Sequence, residues 1–329
     1  MKKISIMLTS YNLIDCIDES VSSVVSQEMP CDWELLIGDD GSDDGTIEKI
    51  KNWQSKYPNN IRYYVADRPK TIVKDGKRAA KNRAKLLEKA TGDYLIYLDG
   101  DDYWIGTEKL KQQFAILEDP VNSDCSCCAH NIEVLKLPEN KIYNWIEKPL
   151  STQKFTLKQY WSSYYFHTNT ILFRKECKPL LLDNLYRDYL NDTFITFILL
   201  QYGKVYYIDK AWARYNMTGT GLWTGHSQFY GLVRNTLSYD LELKINNKIR
   251  TNIMQKHWPE LLYIINNYND CDYPSIAPVV EGIDPSVFKT TLLLTKVHPN
   301  LIDKIRKQSI KVRIFIHRSL RWIIRLLLK

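Results

Sequence analysis

The stretch Tyr94-Leu95-Ile96-Tyr97-Leu98-Asp99-Gly100-Asp101-Asp102 joins an apolar run of strand composition to three carboxylates set around one glycine. Folding alone does not ask for that pattern, because carboxylates crowded within four residues repel one another. A divalent cation turns the repulsion into attraction. Hard oxygen ligands suit Mg2+ or Mn2+ held between protein carboxylates and substrate phosphates. Gly100 permits a tight turn, so that Asp99 and Asp101 can address one ion, or one ion and its ligand. A solvated acidic turn is the plainer reading of such a motif taken alone, so its neighbours decide.

Outward from this stretch the first 120 residues alternate. Residues 4–8, 33–37 and 61–65 read as strands, and 15–27, 46–56 and 77–89 as helices. The last helix is expected to close at Thr91-Gly92 with a left-handed glycine. This β-α order predicts a parallel sheet covered on both faces. Ligands of such sheets bind beyond the C-terminal ends of the strands. Three polar clusters fall at those ends: Thr9-Ser10-Tyr11-Asn12, the run from Asp39 to Gly45, and Asp99 to Asp102. The middle cluster, Asp39-Asp40-Gly41-Ser42-Asp43-Asp44-Gly45-Thr46, carries four acids and no lysine. That composition suits the hydroxyls and N–H groups of a nucleoside better than a bare phosphate. Asp43, Asp44 and Thr46 also suit a plain helix-capping loop.

At 329 residues the chain has room for a large core. Its net charge of +7 is a property of the tail: ten Lys/Arg and a single Asp follow residue 295, leaving 35 basic against 37 acidic residues before it. A nucleic-acid-binding body is therefore not expected. The seven cysteines show neither a disulfide framework nor a paired CxxC zinc pattern, and read as reduced thiols of a cytoplasmic protein. No stretch has the length of a transmembrane helix.

Taken together, Thr9-Ser10-Tyr11-Asn12, the acidic loop from Asp39 to Thr46, and Gly92-Asp93-Tyr94 leading into Asp99-Gly100-Asp101-Asp102 resemble family 2 glycosyltransferases of the GT-A fold. The resemblance is strong over residues 1–120 and weaker to about 225. It implies an α/β doubly wound mixed sheet. It also implies inverting transfer of a sugar from a nucleoside diphosphate donor, commonly a UDP-sugar, with Mn2+ or Mg2+. By this resemblance Thr9, Tyr11, Asn12, Asp39 and Asp40 contact the nucleoside. Asp99, Gly100 and Asp101 serve ribose, metal and diphosphate, Asp101 being the favoured metal ligand. Lys81 stands where the family usually has Arg, which keeps the charge and loses the bidentate fork. The general base is the Asp that opens a helix in the second half, here Asp192 after Asn191, with Asp188 as competitor; an Asp at that place is also an ordinary cap. Arg214 would close over the diphosphate, with Asn216 where His is usual and His226 ten residues on. Trp223 is the tryptophan expected beside the site, and His167 is a candidate on the acceptor side.

The expected organisation is a catalytic domain over 1–225, with a nucleotide-binding half to 120 and an acceptor half beyond it. Short strands are expected at 170–173 and 205–208, and helices at 157–162 and 192–202. A helical appendage over 226–300 and a basic amphipathic helix over 301–329 would follow. In the tail Lys304, Lys307, Lys311, Arg318, Arg321, Arg325 and Lys329 fall on one helical face, with Ile305, Val312, Ile316, Ile323 and Leu327 on another. Such a helix suits an anionic membrane surface, which places the protein at the inner face of the cell membrane with a glycan or polyprenyl-linked acceptor. A partner-binding helix is the other reading. Two further classes share these features: a sugar nucleotidyltransferase, which would want a Gly/Lys phosphate loop after the first strand, and a non-catalytic membrane-tethered scaffold.

Overall fold

The computed structural model describes residues 1–67, 77–137, 139–148, 150, 153–159, 166–217, 238, 241–246 and 248. The chain divides into two compact units, Met1–Thr224 and Gly225–Lys329. Of the second, a helical turn at 241–245 is described. The expected appendage otherwise lies outside the described residues, as do the basic terminal helix, Trp223 and His226.

The first unit begins with the expected alternation: β1 (Lys3–Ser10), α1 (Ile17–Val25), β2 (Asp32–Asp39), α2 (Thr46–Lys56), β3 (Ile61–Val65), α3 (Lys77–Lys89) and β4 (Tyr94–Asp99). A short β5 (Tyr103–Trp104) and α4 (Lys109–Glu118) follow. The second half contains β6 (Cys125–Lys136), β7 (Lys141–Asn144), β8 (Lys154–Phe155), β9 (Leu172–Arg174), α5 (Lys178–Leu181), α6 (Asp192–Tyr202) and β10 (Lys204–Met217).

One ten-stranded sheet runs β3-β2-β1-β4-β9-β6-β10-β5, with β7 beside β6 and β8 beside β10. Its first four strands are parallel. β9 enters antiparallel between β4 and β6, so the sheet is mixed. Parallel strands buried on both faces need near-continuous apolar sequence, and β1 and β4 have it. Ile4, Ile6 and Leu8 enter one core with Ile96 and Leu98, closed by Ile17, Val21 and Val24 of α1. On α3, Ala80, Ala84 and Leu87 recur at helical spacing and are buried, and the helix packs against β1 and β2.

Some expectations change here. Gly92 does not take the left-handed conformation, which among the described glycines belongs to Gly41, Gly45 and Gly106. It is needed instead for close approach: a Cβ there would sit 2.6 Å from the Ser5 backbone nitrogen and 2.9 Å from the Lys3 carbonyl. The strand expected at 170–173 begins at Leu172, because Thr168–Thr170 form a 3-10 turn. The strand at 205–208 is only the start of the 14-residue β10. Of the helix expected at 157–162, residues 157–159 are described and helical.

At the end of the sheet away from the acid clusters, Glu34 is 1% exposed and fastens three elements. It accepts from Ser5 Oγ at 2.6 Å, Lys3 Nζ at 3.0 Å, Thr91 N at 2.9 Å and Thr91 Oγ1 at 2.8 Å, and it pairs with Arg62. Burial acts to raise its pKa, but these donors outweigh burial and bring the carboxyl from 4.5 to about 2.

Candidate active site

Strand register gathers the three polar clusters. Thr9 lies opposite Asp99 and Ser10 opposite Asp39, so the tips of β1, β2 and β4 end side by side. Thr9 Oγ1 donates to Asp99 at 2.6 Å. Gly100 is held against this tip by its own N–H, which donates to the Thr9 carbonyl at 2.8 Å. A Cβ at Gly100 would also lie 2.8 Å from that oxygen, so the turn needs glycine for proximity.

The loops after β1 and β2 are tied into one surface. Asn12, at φ 51°, donates through its backbone to Ser42 Oγ at 2.8 Å; its Nδ2 donates to Asp43 Oδ1 and its Oδ1 accepts from Asp43 N, both at 3.1 Å. Asp44 accepts from the Ile14 and Thr46 backbones at 3.0 Å, and Thr46 Oγ1 accepts from Leu13 N at 2.8 Å. Asp39 is fully buried and spends its carboxylate on its own loop, accepting from Gly41 N, Ser42 N and Ser42 Oγ. Asp40 meets Arg78 through two bonds, at 2.6 and 2.7 Å. Tyr11 is exposed beside this loop.

The acid turn itself is unevenly satisfied. Arg83 Nη2 donates to both oxygens of Asp99, at 2.9 and 2.6 Å. Asp102 is buried and accepts from Asn169 Nδ2 at 2.9 Å and Asn216 N at 3.2 Å. Its pKa is raised well above the usual carboxylate range, by burial first and then by Asp101 and Asp99. Asp101 accepts no hydrogen bond from a described side chain; burial, and next the charge of Asp99, push its pKa up to about 6. An unquenched excess of negative charge is what a divalent cation relieves.

The second half brings Asp192 to the same place. Asn191 caps α6, its side chain accepting from Phe194 N at 2.9 Å, so Asp192 at the next position is not the capping residue. Asp192 accepts from Thr168 Oγ1 at 2.8 Å. His167 Nε2 stands 3.9 Å from Asp192 and 4.0 Å from Asp102, against the Tyr215 ring at 5.1 Å between centroids. The Thr168–Thr170 turn is held from behind, where Trp104 Nε1 donates to the Asn169 carbonyl and Gln113 Nε2 to the Thr170 carbonyl, at 3.1 and 2.8 Å.

The two expected cations have partners of their own. Lys81 is on the exposed side of α3, with its amine 3.8 Å from Asp188; Arg83, two residues on, is the α3 cation that reaches the acid turn. Arg214 donates to Glu133 at 2.6 and 3.1 Å and to the Tyr103 hydroxyl at 2.7 Å, which engages it beside the acid turn. Asn216 fastens that turn, its Nδ2 donating to the Asp101 carbonyl at 2.7 Å. Arg83, Asp102, Thr168 and Asn169 were not singled out as separate site residues from sequence. For Arg83 no local signal separates it from Lys81, which is also flanked by buried residues, Ala80 and Asn82, yet is exposed.

Among the described residues no three His, Cys, Asp or Glu side chains form a ready metal cage. The donor set nevertheless fits a hard cation that completes its coordination with diphosphate oxygens, as Mg2+ and Mn2+ do. Asp101 is the carboxylate open to such an ion, and Asp99 already has partners on both oxygens.

The profile described as Glycosyl transferase family 2 matches residues 5–180. The poly(ribitol-phosphate) beta-glucosyltransferase of Bacillus spizizenii is 38% identical over 109 residues, covering 33% of this chain and 16% of that protein. The Escherichia coli UDP-Glc:alpha-D-GlcNAc-diphosphoundecaprenol beta-1,3-glucosyltransferase WfgD is 31% identical over 154 residues, covering 46% and 53%. The chain thus spans well under two thirds of both relatives. S. aureus TarS 1-349 in complex with UDP-GlcNAc shares the fold at TM-score 0.56 and 16% identity, over 87% of this chain and 83% of that one.

Proposed function

The chain belongs to glycosyl transferase family 2, and from that premise we propose that it moves a sugar, with inversion, from a UDP-sugar to a hydroxyl of a glycan or lipid-linked oligosaccharide. The observation that carries this reading is the convergence on one guanidinium. Arg83 Nη2 lies 2.6 Å from Asp99 on the nucleotide side and 3.9 Å from Asp192 on the acceptor side. A single in-line displacement needs leaving-group stabilisation and a base within one cleft, and the two halves supply them together.

In this reading Tyr11, Asn12 and Asp40 form the nucleoside edge, while buried Asp39 shapes the loop that presents them. Asp101, with Asp99 beside it, would hold Mn2+ or Mg2+, which when bound neutralises charge on the diphosphate leaving group. Asp192 takes the acceptor hydroxyl's proton, and the freed oxygen pair bonds to the anomeric carbon as its bond to the diphosphate oxygen breaks. Thr168 orients one oxygen of Asp192. A single displacement of this kind inverts the anomeric centre. The donor assignment draws on the UDP-sugars named for WfgD and TarS, and the lipid-linked acceptor on WfgD and on the basic amphipathic tail, which would hold the protein at the inner membrane surface.

A thermal-shift screen of UDP-, GDP- and dTDP-sugars with Mn2+ tests the proposal. UDP-sugars are expected to raise Tm above the others. A response to GDP- or dTDP-sugars alone overturns the donor assignment, and no response to any overturns the reading.

A further inference from the structure

Arg83 is buried on a helix whose Lys81, Lys85 and Lys89 are exposed. It is 9% exposed, and its Nε has no hydrogen-bond partner among the described residues. Burial acts against its charge, yet Asp99 and then Asp192 outweigh burial and raise its pKa. Its two terminal nitrogens divide their work. Nη2 binds both oxygens of Asp99, while Nη1 donates to the Leu190 carbonyl at 3.0 Å, two residues before Asp192. One rigid planar group therefore grips the tip of β4 and the backbone that launches α6.

We propose that Arg83 is a positioning residue that sets the spacing between the acid turn and the candidate base, and so governs the transfer step without being required for donor binding. The assignment rests on the glycosyl-transfer reading above. A planar fork with fixed donor directions can span a carboxylate and a carbonyl together; a lysine in the same place keeps the charge but grips one of them. The nucleoside edge is built on Arg78, Asn12 and the β2 loop, which Arg83 does not touch. Arg83→Lys leaves those contacts and Asp101 in place and keeps a cation beside Asp99, so it should spare nucleotide affinity and misplace the base, an error to which rate is sensitive.

The test uses the full chain, UDP release from UDP-glucose and UDP-GlcNAc with Mn2+, and calorimetric UDP binding. Arg83→Lys is expected to lower kcat about tenfold or more, while KM for the donor and Kd for UDP stay within about threefold. Thr168→Val removes the hydrogen bond from Thr168 Oγ1 to Asp192, leaves Arg83 untouched, and is expected to show the same split. The double variant should lose little beyond the worse single variant, since both act through one carboxylate. Turnover of Arg83→Lys within threefold of wild type overturns the proposal. So do losses of kcat and UDP affinity that fall together with Tm, or a double variant showing the product of the two single losses. Should Arg83→Lys fail to fold, an unaltered kcat in Thr168→Val overturns it. A wild-type protein that neither binds UDP nor releases it overturns the underlying reading as well.

Discussion

Glu34 allows the sheet's architecture to be tested separately from its chemistry. Replacing it by Gln removes the charge that Lys3 and Arg62 face while keeping the shape of the side chain. The folded carboxyl titrates near 2 instead of 4.5. Its stabilising contribution is therefore fully present above pH 4.5 and is lost as pH falls from 4.5 through 2. Each unit of pKa is about 1.4 kcal/mol, so the charged form contributes about 3 kcal/mol at pH 7 and about 1.4 kcal/mol at pH 3. With a urea dependence of about 3 kcal/mol per molar, Glu34→Gln should lower the unfolding midpoint by about 1 M at pH 7 and by about half that at pH 3. Far-UV circular dichroism in urea at the two pH values reads this out. A midpoint unchanged at pH 7, or lowered equally at both, refutes the claim that the ionised carboxylate clamps β1, β2 and the start of β4.

Other expectations concern the site and the tail. Asp192→Asn should leave UDP affinity within about threefold and lower UDP release by about 100-fold or more, as expected for loss of a general base. Isothermal calorimetry and a UDP-release assay separate the two effects. Gly100→Ala should lower both Tm and UDP affinity, because the added methyl meets the Thr9 carbonyl at 2.8 Å; differential scanning fluorimetry with and without UDP checks it. Truncation after residue 300 should abolish co-sedimentation with anionic vesicles, and unchanged binding removes the membrane proposal.

Much of the first 120 residues could be read directly from the chain. β1, β2 and β4 are contiguous apolar runs, and each helix between them has a local beginning and end. Their order alone implies that Thr9, Asp39 and Asp99 finish at one edge, and the register places them there. The second half of the unit was less legible because its decisive features are non-local. The antiparallel entry of β9 depends on which strands it meets. The Thr168–Thr170 turn depends on Trp104 and Gln113, distant in sequence. Lys81 and Arg83 differ in burial because of their angle around α3, and a helix with basic residues at 77, 78, 81, 83, 85 and 89 looks like a solvated face until it is packed. Asn191 and Asp192 are both good caps by composition, and only the bond to Phe194 N assigns that duty to Asn191.

In the proposed reading the acid turn is a nucleotide–metal site, with Asp101 its open carboxylate. The most direct measurement is calorimetric titration of UDP with Mn2+, without metal, and with Mn2+ into Asp101→Asn. Wild-type binding is expected to weaken at least about tenfold both on chelation and on the substitution. UDP binding that is indifferent to metal and to Asp101→Asn would contradict it.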